Sequence, residues 1–310
     1  MNDTYDAVVI GGGPAGLNGA LMLARSRRSV LVIDAGEPRN APAAQVHGLF
    51  ALDGTPPAEL LARGRAEVER YGGHLATGSV VDVEPGFTVV LADGRRVGAR
   101  RLLVTTGLVD VLPEIAGLRE RWGRDAVHCP YCHGWEVRDR AIGVLATSSM
   151  AVHQVLLFRQ LSDDVVLFTH TAGPLSEEQA AELEARGVRV VPGEAEALEI
   201  ADDRITGVRL KDGTVVARDA VAVATRLVAR TSFLERLGLK AVEHPMGVGE
   251  HIPARPDGQT EVPGVWVAGN VTDLAAQVGG SAAAGAMAGA RINADLIAEE
   301  TRQAVLEATA

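Results

Sequence analysis

Cys129 and Cys132 are the two cysteines of the chain, and they lie in the segment HCPYCH at residues 128–133. Two thiols at this spacing can form a redox dithiol, contribute to a zinc site, or remain as inert buried side chains. The possible zinc ligands fall in adjacent pairs, and no second CxxC or HxxxH motif follows in the sequence. We therefore predict a redox dithiol and no metal site, with the zinc site and the inert thiols as alternatives.

His133 directly follows the second cysteine. Imidazole has an unperturbed pKa of about 6.5, so a histidine can accept the proton of a thiol at neutral pH. We predict Cys129, Cys132 and His133 as the catalytic residues, and the alternative for His133 is a polar residue that hydrogen-bonds its own loop. The sequence assigns no role to three further histidines, His128, His244 and His251.

The composition is typical of a globular α/β protein with many tight turns. Of 310 residues, 47% are apolar, 23% are charged and 4% are aromatic, and 35 are glycine. The net charge of −10, without a basic cluster, argues against a nucleic-acid partner. The sequence has neither a signal-peptide pattern nor a long apolar stretch, so we expect a cytoplasmic protein without a membrane span. A structural disulfide is uncommon in that compartment.

A glycine-rich turn joins the first predicted strand, DAVVI, to an apolar helix. The turn reads GGGPAG, and a second predicted strand, SVLVID, follows the helix and ends at Asp34. This order of strand, glycine turn, helix, strand and acid is typical of dinucleotide-binding sites. A glycine turn between packed elements is the alternative.

Each glycine of the motif has a physical role in such a site. Gly11 permits the tight turn, Gly13 lets a pyrophosphate approach the backbone, and Gly16 lets the helix pack closely on the strand. The helix N-terminus would face the phosphates, because its first N–H groups have no partner within the helix. Asp34 can accept a hydrogen bond from a ribose hydroxyl.

Two later segments complete the same pattern. A predicted strand, RRLLVTTG, ends at Thr106 and Gly107. A further strand and glycine turn, in PGVWVAGNVTD, precede a predicted helix of small residues at 275–290. In this helix Gly285 and Gly289 are one turn apart, which permits close contact with another backbone.

In their order and spacing, these segments and the CPYC motif resemble the low-molecular-weight thioredoxin reductases along the whole chain. The resemblance implies an α/β fold with two Rossmann-like, three-layer, doubly wound domains. A FAD domain would comprise residues 1–112 and 238–310, and an inserted domain of residues 113–237 would carry the dithiol. The resemblance also implies a homodimer.

The same resemblance implies a FAD site built from the glycine-rich turn, the end of the second strand, the TTG strand end and the late turn. The family's late Gly-Asp pair corresponds here to Gly269 and Asn270, and its Arg-Gln-Ala corresponds to residues 276–278. The predicted FAD residues are Gly11, Gly13, Pro14, Ala15, Gly16, Asp34, Ala35, Arg39, His47, Val81, Thr106, Gly107, Gly269, Asn270, Gln277 and Val278.

The inserted domain has the alternating predicted strands and helices of a dinucleotide-binding fold, but it lacks the glycines with which the family binds NADPH. Where thioredoxin reductases read GGGDSA, this chain reads ATSSMA at residues 146–151. A Cβ at the second glycine position would stand where the pyrophosphate must approach. The family's basic His-Arg-Arg cluster reads HTA at 170–172, and its Gly-x-x-Pro turn reads ATRLVA at 224–229. NADPH is therefore not expected, and an altered turn that binds it weakly is the alternative.

In thioredoxin reductases an acid follows the second cysteine, and here His133 takes its place. This CxxC-His motif and the altered NADPH turn resemble the FAD-dependent dithiol oxidases of holomycin- and gliotoxin-type natural products. The resemblance implies that Cys132 faces the flavin and that Cys129 exchanges with the substrate. It also implies oxidation of a small dithiol to a disulfide, with O2 as the acceptor and H2O2 as the product. Trp135 and Met246 either line the substrate pocket or belong to the core.

Two other functions remain open. A thioredoxin reductase driven by NADPH or ferredoxin would use the same dithiol to reduce thioredoxin. A non-catalytic flavoprotein redox sensor would use the state of the dithiol to control a partner. The sequence does not specify the substrate or the partner.

Overall fold

The computed structural model describes residues 3–310, so residues 1 and 2 of the predicted FAD domain lie outside the described residues. The strands are β1 Thr4–Ile10, β2 Val30–Asp34, β3 His74–Thr77, β4 Val80–Glu84, β5 Thr88–Leu91, β6 Arg96–Val104, β7 Leu108–Val111, β8 Ala126–Val127, β9 Ile142–Leu145, β10 Val165–Phe168, β11 Arg189–Val191, β12 Ala195–Ala201, β13 Arg204–Leu210, β14 Val215–Ala217, β15 Ala220–Val223, β16 Arg226–Ala229, β17 Val242–Glu243, β18 Gly249–His251 and β19 Val265–Val267. The α-helices are α1 Pro14–Arg25, α2 Pro57–Arg70, α3 Leu118–Arg121, α4 Pro130–His133, α5 Ala151–Phe158, α6 Glu177–Ala185 and α7 Val278–Thr309. Short 3-10 helices cover Trp135–Val137, Ser232–Leu237 and Gly269–Val271.

The chain folds into two compact units. The first comprises Met1–Ala41, Thr55–Asp110 and Leu227–Ala310, and the second comprises Pro42–Gly54 and Val111–Arg226. The predicted domains, 1–112 with 238–310 and 113–237, have the same order along the chain but different limits.

Two segments account for nearly all of that difference: residues 227–237 belong to the first unit, and Pro42–Gly54 packs within the second. Pro42 lies so close to Gly123 that a Cβ on this glycine would be 2.7 Å from the Pro42 Cβ. His47 lies 3.3 Å from the carboxylate of Glu136. Neither contact has a signal in the sequence, since the partners are about 80 to 90 residues apart.

The first unit is built on a seven-stranded sheet with the order β3-β2-β1-β6-β5-β4, in which β19 also pairs with β6. β3, β2, β1, β6 and β19 are parallel, whereas β4 and β5 form an antiparallel hairpin beside β6. The long β6 accommodates both neighbours, with β5 on its first residues and β19 on Leu102–Val104. The parallel part has the topology of a Rossmann-like domain, as predicted.

Apolar side chains cover both faces of this sheet, as expected for buried parallel strands. On one face, Ala7, Val9 and Leu103 of the sheet pack against Leu23 of α1 and Ile292 of α7. On the opposite face, a second cluster joins the sheet to the β4–β5 hairpin and to the 3-10 helix Ser232–Leu237. These two layers hold the carboxyl ends of β1, β2 and β6 in place.

α1 and α7 approach each other through glycines. A Cβ on Gly285 would overlap the carbonyl oxygen of Ala15, and one on Gly289 would lie 2.5 Å from the oxygen of Gly19. A Cβ on Gly19 would in turn meet the oxygen of Gly285 at 2.9 Å. The predicted close backbone contact of the Gly285-x-x-x-Gly289 pair is therefore made with the first helix of the same unit.

The second unit has a parallel five-stranded sheet with the order β11-β10-β9-β15-β8, beside which β12, β13 and β14 form an antiparallel sheet. α5 and α6 pack on the parallel sheet through residues such as Val155, Phe158 and Leu183. The unit therefore repeats the α/β plan of the first. A fourth sheet has the order β17-β18-β16-β7 and includes the strands at which the chain passes from one unit to the other.

Two predicted elements have different limits in the structure. The helix of small residues does not end at residue 290 but continues as α7 to Thr309. No glycine or proline follows Gly289 within it, so nothing in the sequence interrupts the helix. The segment VVARDAVAVA at residues 215–224, which its run of β-branched and apolar residues also predicts as one strand, divides into β14 and β15, because its two halves join different sheets, β14 beside β13 and β15 beside β9.

The contact between α1 and α7 predicts a difference between two glycines of α7. Gly285→Ala should lower the free energy of unfolding by about 2 kcal/mol or more, since the new Cβ must displace a backbone. Gly280→Ala should leave it unchanged or raise it by up to about 1 kcal/mol, because the nearest atom to its Cβ would be 3.9 Å away. Urea unfolding followed by far-ultraviolet circular dichroism measures both, and equal effects would contradict the packing.

Candidate active site

Gly11 and Gly16 are required by packing in the turn between β1 and α1. Gly11 has a φ of 110°, and a Cβ there would lie 2.5 Å from the carbonyl oxygen of Thr105. A Cβ on Gly16 would overlap the carbonyl oxygen of Gly11. The Thr105 hydroxyl donates to the Gly11 oxygen at 2.8 Å and ties the turn to the end of β6. The turn is therefore compact and cannot accept side chains at these two positions.

Gly13 differs from its neighbours, because no atom lies within 4 Å of the position its Cβ would occupy. Its backbone is extended, with φ −77° and ψ −175°, and it is the N-cap of α1 without a side-chain cap. Neither packing nor backbone strain explains this glycine. The open space in front of uncapped helix N–H groups fits the pyrophosphate of a dinucleotide, and the residues present thus fit FAD at this point.

Gly12 is a further member of this site that the motif did not indicate. Its N–H donates to Asp34 Oδ1 at 3.1 Å, and a Cβ on Gly12 would lie 2.7 Å from Asp34 Cγ. Arg65 of α2 lies 3.7 Å from the other carboxylate oxygen. The predicted ribose acceptor is therefore oriented by the turn itself. The signal in the sequence was the middle one of three consecutive glycines, to which the motif assigns no role.

Arg39 and Asn270 are brought together by an ion pair in the same unit. The Arg39 guanidinium donates to both oxygens of Asp110, at 2.7 and 2.8 Å, and to Asn270 Oδ1 at 3.2 Å. The Asn270 amide donates to the carbonyls of Asp273 and Ala276, each at 2.9 Å. The asparagine that replaces the family's aspartate thus holds its own loop closed.

The other predicted FAD residues are distributed over loops and strand ends of the first unit, with one exception. Thr106 donates its hydroxyl to the carbonyl oxygen of Arg230 at 2.8 Å, and Gly269, with a φ of 75°, lies against Ala15. Pro14 is the first residue of α1, whereas Ala35, Val81 and Gln277 are exposed and Gly107 and Val278 are partly buried. The exception is His47, which lies in the second unit with the dithiol. Its assignment to the FAD site stays a prediction.

The dithiol lies on the short helix α4 of the second unit. Cys129 is the N-cap, with an extended backbone, and its carbonyl accepts from the N–H of Cys132 and of His133 at 3.3 and 3.1 Å. This turn places the two sulfur atoms 2.7 Å apart. A Cβ on Gly134 would overlap both the Pro130 carbonyl and the Leu161 side chain, so the following turn is tightly packed. The backbone thus holds the two sulfurs at a distance suited to disulfide exchange.

His133 follows on the same helix and is partly buried. Burial lowers its pKa, the negative charge of Glu136 raises it, and His47 lowers it, with burial the largest effect. A lowered pKa leaves the imidazole neutral at neutral pH, which is the form that accepts a proton. Its buried Nε2 has no hydrogen-bond partner among the residues that the structure describes, so the alternative of an imidazole held by its loop does not apply to this nitrogen.

Both the ring and the main-chain carbonyl of His128 make hydrogen-bond contacts within the second unit. Its Nδ1 lies 3.1 Å from the carbonyl oxygen of Val223, and its own carbonyl accepts from Gln154 Nε2 at 2.7 Å. His244 and His251 form an edge-on pair with ring centroids 5.1 Å apart in the first unit.

Trp135 and Met246 do not belong to the core, since they are 66% and 59% exposed. The Arg138 guanidinium lies over the Trp135 ring at 4.1 Å.

In the turn after β9 of the second unit, the side-chain hydroxyls bond to nearby backbone groups. The Thr147 hydroxyl donates to the carbonyl of Ala224 at 2.9 Å, and the Ser148 hydroxyl accepts from the N–H of Met150 at 3.3 Å. His170 at the end of β10 accepts the Ala195 N–H at 3.1 Å. This turn therefore differs from that of the first unit, where Gly13 leaves space before the helix.

A family model described as pyridine nucleotide-disulphide oxidoreductase matches residues 5–290 of the chain. The chain belongs to this family. As a pyridine nucleotide-disulphide oxidoreductase of the thioredoxin reductase-like type, it is a flavin-dependent redox enzyme, and the family resemblance and the enzyme class predicted from the sequence are confirmed. No helix within residues 3–310 is both long and apolar enough to span a bilayer.

The oxidoreductase is similar along nearly its whole length to proteins of several organisms. It is 32% identical over 319 residues to the thioredoxin reductase tcpT of Claviceps purpurea, with 96% of each chain covered. It is 46% identical to the crystal structure of HlmI, with a TM-score of 0.93 and coverage of 100% of this chain and 98% of that one. An oxidoreductase from Agrobacterium tumefaciens is 39% identical with a TM-score of 0.89, and the match covers 95% of this chain and 99% of that one.

The geometry of the glycine turn predicts that Gly13 and Gly16 affect different properties of the oxidoreductase. Gly13→Ser should keep the stability, because serine is a good N-cap, but should lower the bound FAD by filling the space before α1. Gly16→Ser should unfold more easily, because its Cβ would overlap Gly11. Flavin absorbance per protein and thermal unfolding test this, and full flavin content in Gly13→Ser would contradict it.

Proposed function

We propose that this chain is a FAD-dependent dithiol oxidase, which forms an intramolecular disulfide in a small-molecule dithiol and passes the electrons to O2 to give H2O2. The observation that carries the proposal is the environment of His133. A partly buried imidazole with a lowered pKa follows Cys132 directly, and its Nε2 has no hydrogen-bond partner among the described residues. Oxidation of a dithiol requires a base at this place, because each substrate thiol must lose a proton.

The reaction uses the disulfide form of Cys129 and Cys132. A substrate thiol gives its proton to His133, and the thiolate attacks the Cys129 sulfur, so that Cys132 leaves as a thiolate. The second substrate thiolate then attacks the substrate sulfur of the mixed disulfide and releases Cys129. The substrate has lost two electrons and two protons, and the enzyme has gained the dithiol.

FAD would be held by the turn at Gly11–Gly16, with its pyrophosphate before Gly13 and a ribose hydroxyl at Asp34. When bound, it supplies the two-electron chemistry that restores the enzyme disulfide at the expense of O2. The protein contributes the position of the two sulfurs, the proton acceptor and the electrostatic environment.

The turn after β9 supports entry of electrons from a thiol rather than from NADPH. Thr147 and Ser148 place side chains where a nucleotide-binding turn needs glycine, and their hydroxyls are engaged with backbone groups. The neighbouring HTA sequence at 170–172 offers no arginine for a 2′-phosphate. A cytoplasmic location is proposed on the sequence pattern and a homodimer on the family resemblance alone, and size-exclusion chromatography with light scattering tests the dimer.

A second candidate is a thioredoxin-disulfide reductase that uses NADPH or ferredoxin. The curated relatives tcpT and sirT, the second from Leptosphaeria maculans with 30% identity, both carry the name thioredoxin reductase. This function would use the same dithiol in the reducing direction.

Aerobic turnover separates the candidates. With dihydrolipoamide or dithiothreitol and no nicotinamide, the yellow protein should form disulfide and H2O2 in equal amounts. His133→Asn should slow this by about 100-fold or more at neutral pH, whereas His153→Asn, at an exposed position of α5, should not. Bleaching of the flavin by NADPH followed by reduction of thioredoxin would overturn the oxidase. No turnover in either direction would favour a non-catalytic sensor.

A further inference from the structure

We propose that Gln154 is a positioning residue for the dithiol, and that it sets the reduction potential of Cys129 and Cys132 by fixing the peptide bond before Cys129. The inference rests on the redox role of the two cysteines in the proposed function. Gln154 lies on α5 of the second unit, 26 residues after His128 in the sequence. Neither the dithiol motif nor the family resemblance assigned it a role.

The helix that carries the dithiol has no buried residue of its own. None of the four residues of α4 is buried, so this helix is not anchored by side chains in the core. The core holds the chain on either side of it instead, because Val127 and Val137 are buried in the same cluster as Val155 of α5. The position of α4 between these two anchors therefore depends on hydrogen bonds and on the close packing of Gly134.

Gln154 supplies one of these hydrogen bonds. Its Nε2 donates to the main-chain carbonyl of His128 at 2.7 Å. The ring of His128 is held separately, since its Nδ1 lies 3.1 Å from the carbonyl oxygen of Val223 on β15. A carbonyl oxygen can only accept, so this nitrogen carries the proton. His128 is thus attached to α5 through its main chain and to β15 through its ring, and Cys129 follows it directly.

The surroundings of the Gln154 amide indicate a role other than stability. The residue is 8% exposed, and it is the one buried asparagine or glutamine among residues 3–310. The carbonyl of His128 fixes the orientation of the amide, because it requires the NH2 group on its side. The other atom, Oε1, is buried without a hydrogen-bond partner among the same residues. A buried unpaired oxygen is destabilising, so the bond to the dithiol loop is what explains an amide at this position.

The bond acts on the start of α4. Cys129 is the N-cap, and its φ of −100° is measured from the carbonyl carbon of His128. Its own carbonyl accepts from the N–H groups of Cys132 and His133. Cys129 therefore lies between a fixed peptide and a single helical turn. Without the bond from Gln154, the first residue of this short helix can fray, and its sulfur spends less time beside that of Cys132.

A dithiol that is held in place favours the disulfide. Reduction breaks the S–S bond as two electrons and two protons enter to give two thiols, and oxidation is the reverse. Closing the bond costs less conformational entropy when the two sulfurs are already oriented. Gln154 should therefore lower the reduction potential of the pair, which makes the dithiol the better electron donor.

The potential can be measured without turnover. The protein is equilibrated under argon with mixtures of reduced and oxidised dithiothreitol, and the thiols of its two cysteines are alkylated and counted by mass spectrometry. In Gln154→Met the equilibrium constant for disulfide formation should fall about ten-fold, which equals a rise of about 30 mV in potential. Gln160→Met, at an exposed position just after α5, should match the wild type.

The hydrogen bond itself can be followed by NMR. His128–Cys129 is the only His–Cys step in the chain, so labelling of histidine carbonyls with carbon-13 and of cysteine with nitrogen-15 gives one correlation peak for this peptide. The carbonyl resonance should move upfield in Gln154→Met, because the carbonyl loses its donor, and should stay in place in Gln160→Met.

The urea midpoint of Gln154→Met should remain near that of the wild type, since the substitution removes a hydrogen bond and an unpaired buried oxygen together. If this variant does not fold, Gln154→Asn takes its place, because its amide is one methylene shorter and cannot reach the His128 carbonyl.

Two results would overturn the proposal: a carbonyl resonance that does not move, or one that moves while the equilibrium constant stays the same, as for a merely structural bond. A wild-type protein that forms no disulfide between Cys129 and Cys132 would overturn both this proposal and the redox role of the cysteines. A disulfide that forms in dithiothreitol mixtures, without oxidation of dithiols by O2, would overturn the oxidase alone.

Discussion

The close approach of backbones around the first turn is the constraint on which the first unit depends. Gly16 lies against the carbonyl of Gly11, and Gly285 of α7 lies against the carbonyl of Ala15. The same few atoms therefore connect the start of the chain with its last helix. Because a side chain at any of these positions would separate the layers, the glycines keep the end of β1, the start of α1 and the late turn at Gly269 together. This arrangement leaves Gly13 as the open position in front of the helix.

The second unit has the same α/β arrangement as the first. Its turn after β9, which corresponds to Gly11–Gly16 after β1, has side chains where the first unit has glycines. Side chains at Thr147 and Ser148 bond to nearby backbone groups, so the turn is stabilised by its own hydroxyls. The parallel sheet does not depend on glycines at this turn, because its strands are held by their own ladder and by a separate apolar core. The fold of this unit thus does not require glycines at this turn. The proposed redox site on α4 belongs to this unit, and its proposed direction of electron flow is argued from the side chains at this turn.

The dithiol and His133, its proposed proton acceptor, are adjacent in sequence, but not all of the charged groups nearby come from the same segment. Glu136 lies one helical turn beyond His133, while His47 and Asp53 come from a segment some 80 residues earlier. Glu136 raises and His47 lowers the pKa of this partly buried imidazole, and electrostatic effects are stronger there than in water.

By itself, the sequence determined the fold class, the strand, glycine turn and helix of the FAD motif, and the two cysteines with the histidine beside them from which the redox site is proposed, because these depend on residue type and on local spacing. It also indicated that α7 could approach another backbone, but not that the partner is α1. Only the tertiary structure decided the unit to which Pro42–Gly54 belongs, the orientation of Asp34 by Gly12, and the neighbours of His133. Side-chain contacts between distant segments follow from how sheets and loops pack, and no local pattern records them. For the same reason the exposure of Trp135 and Met246, and the use of Asn270 within its own loop, could not be predicted from residue type.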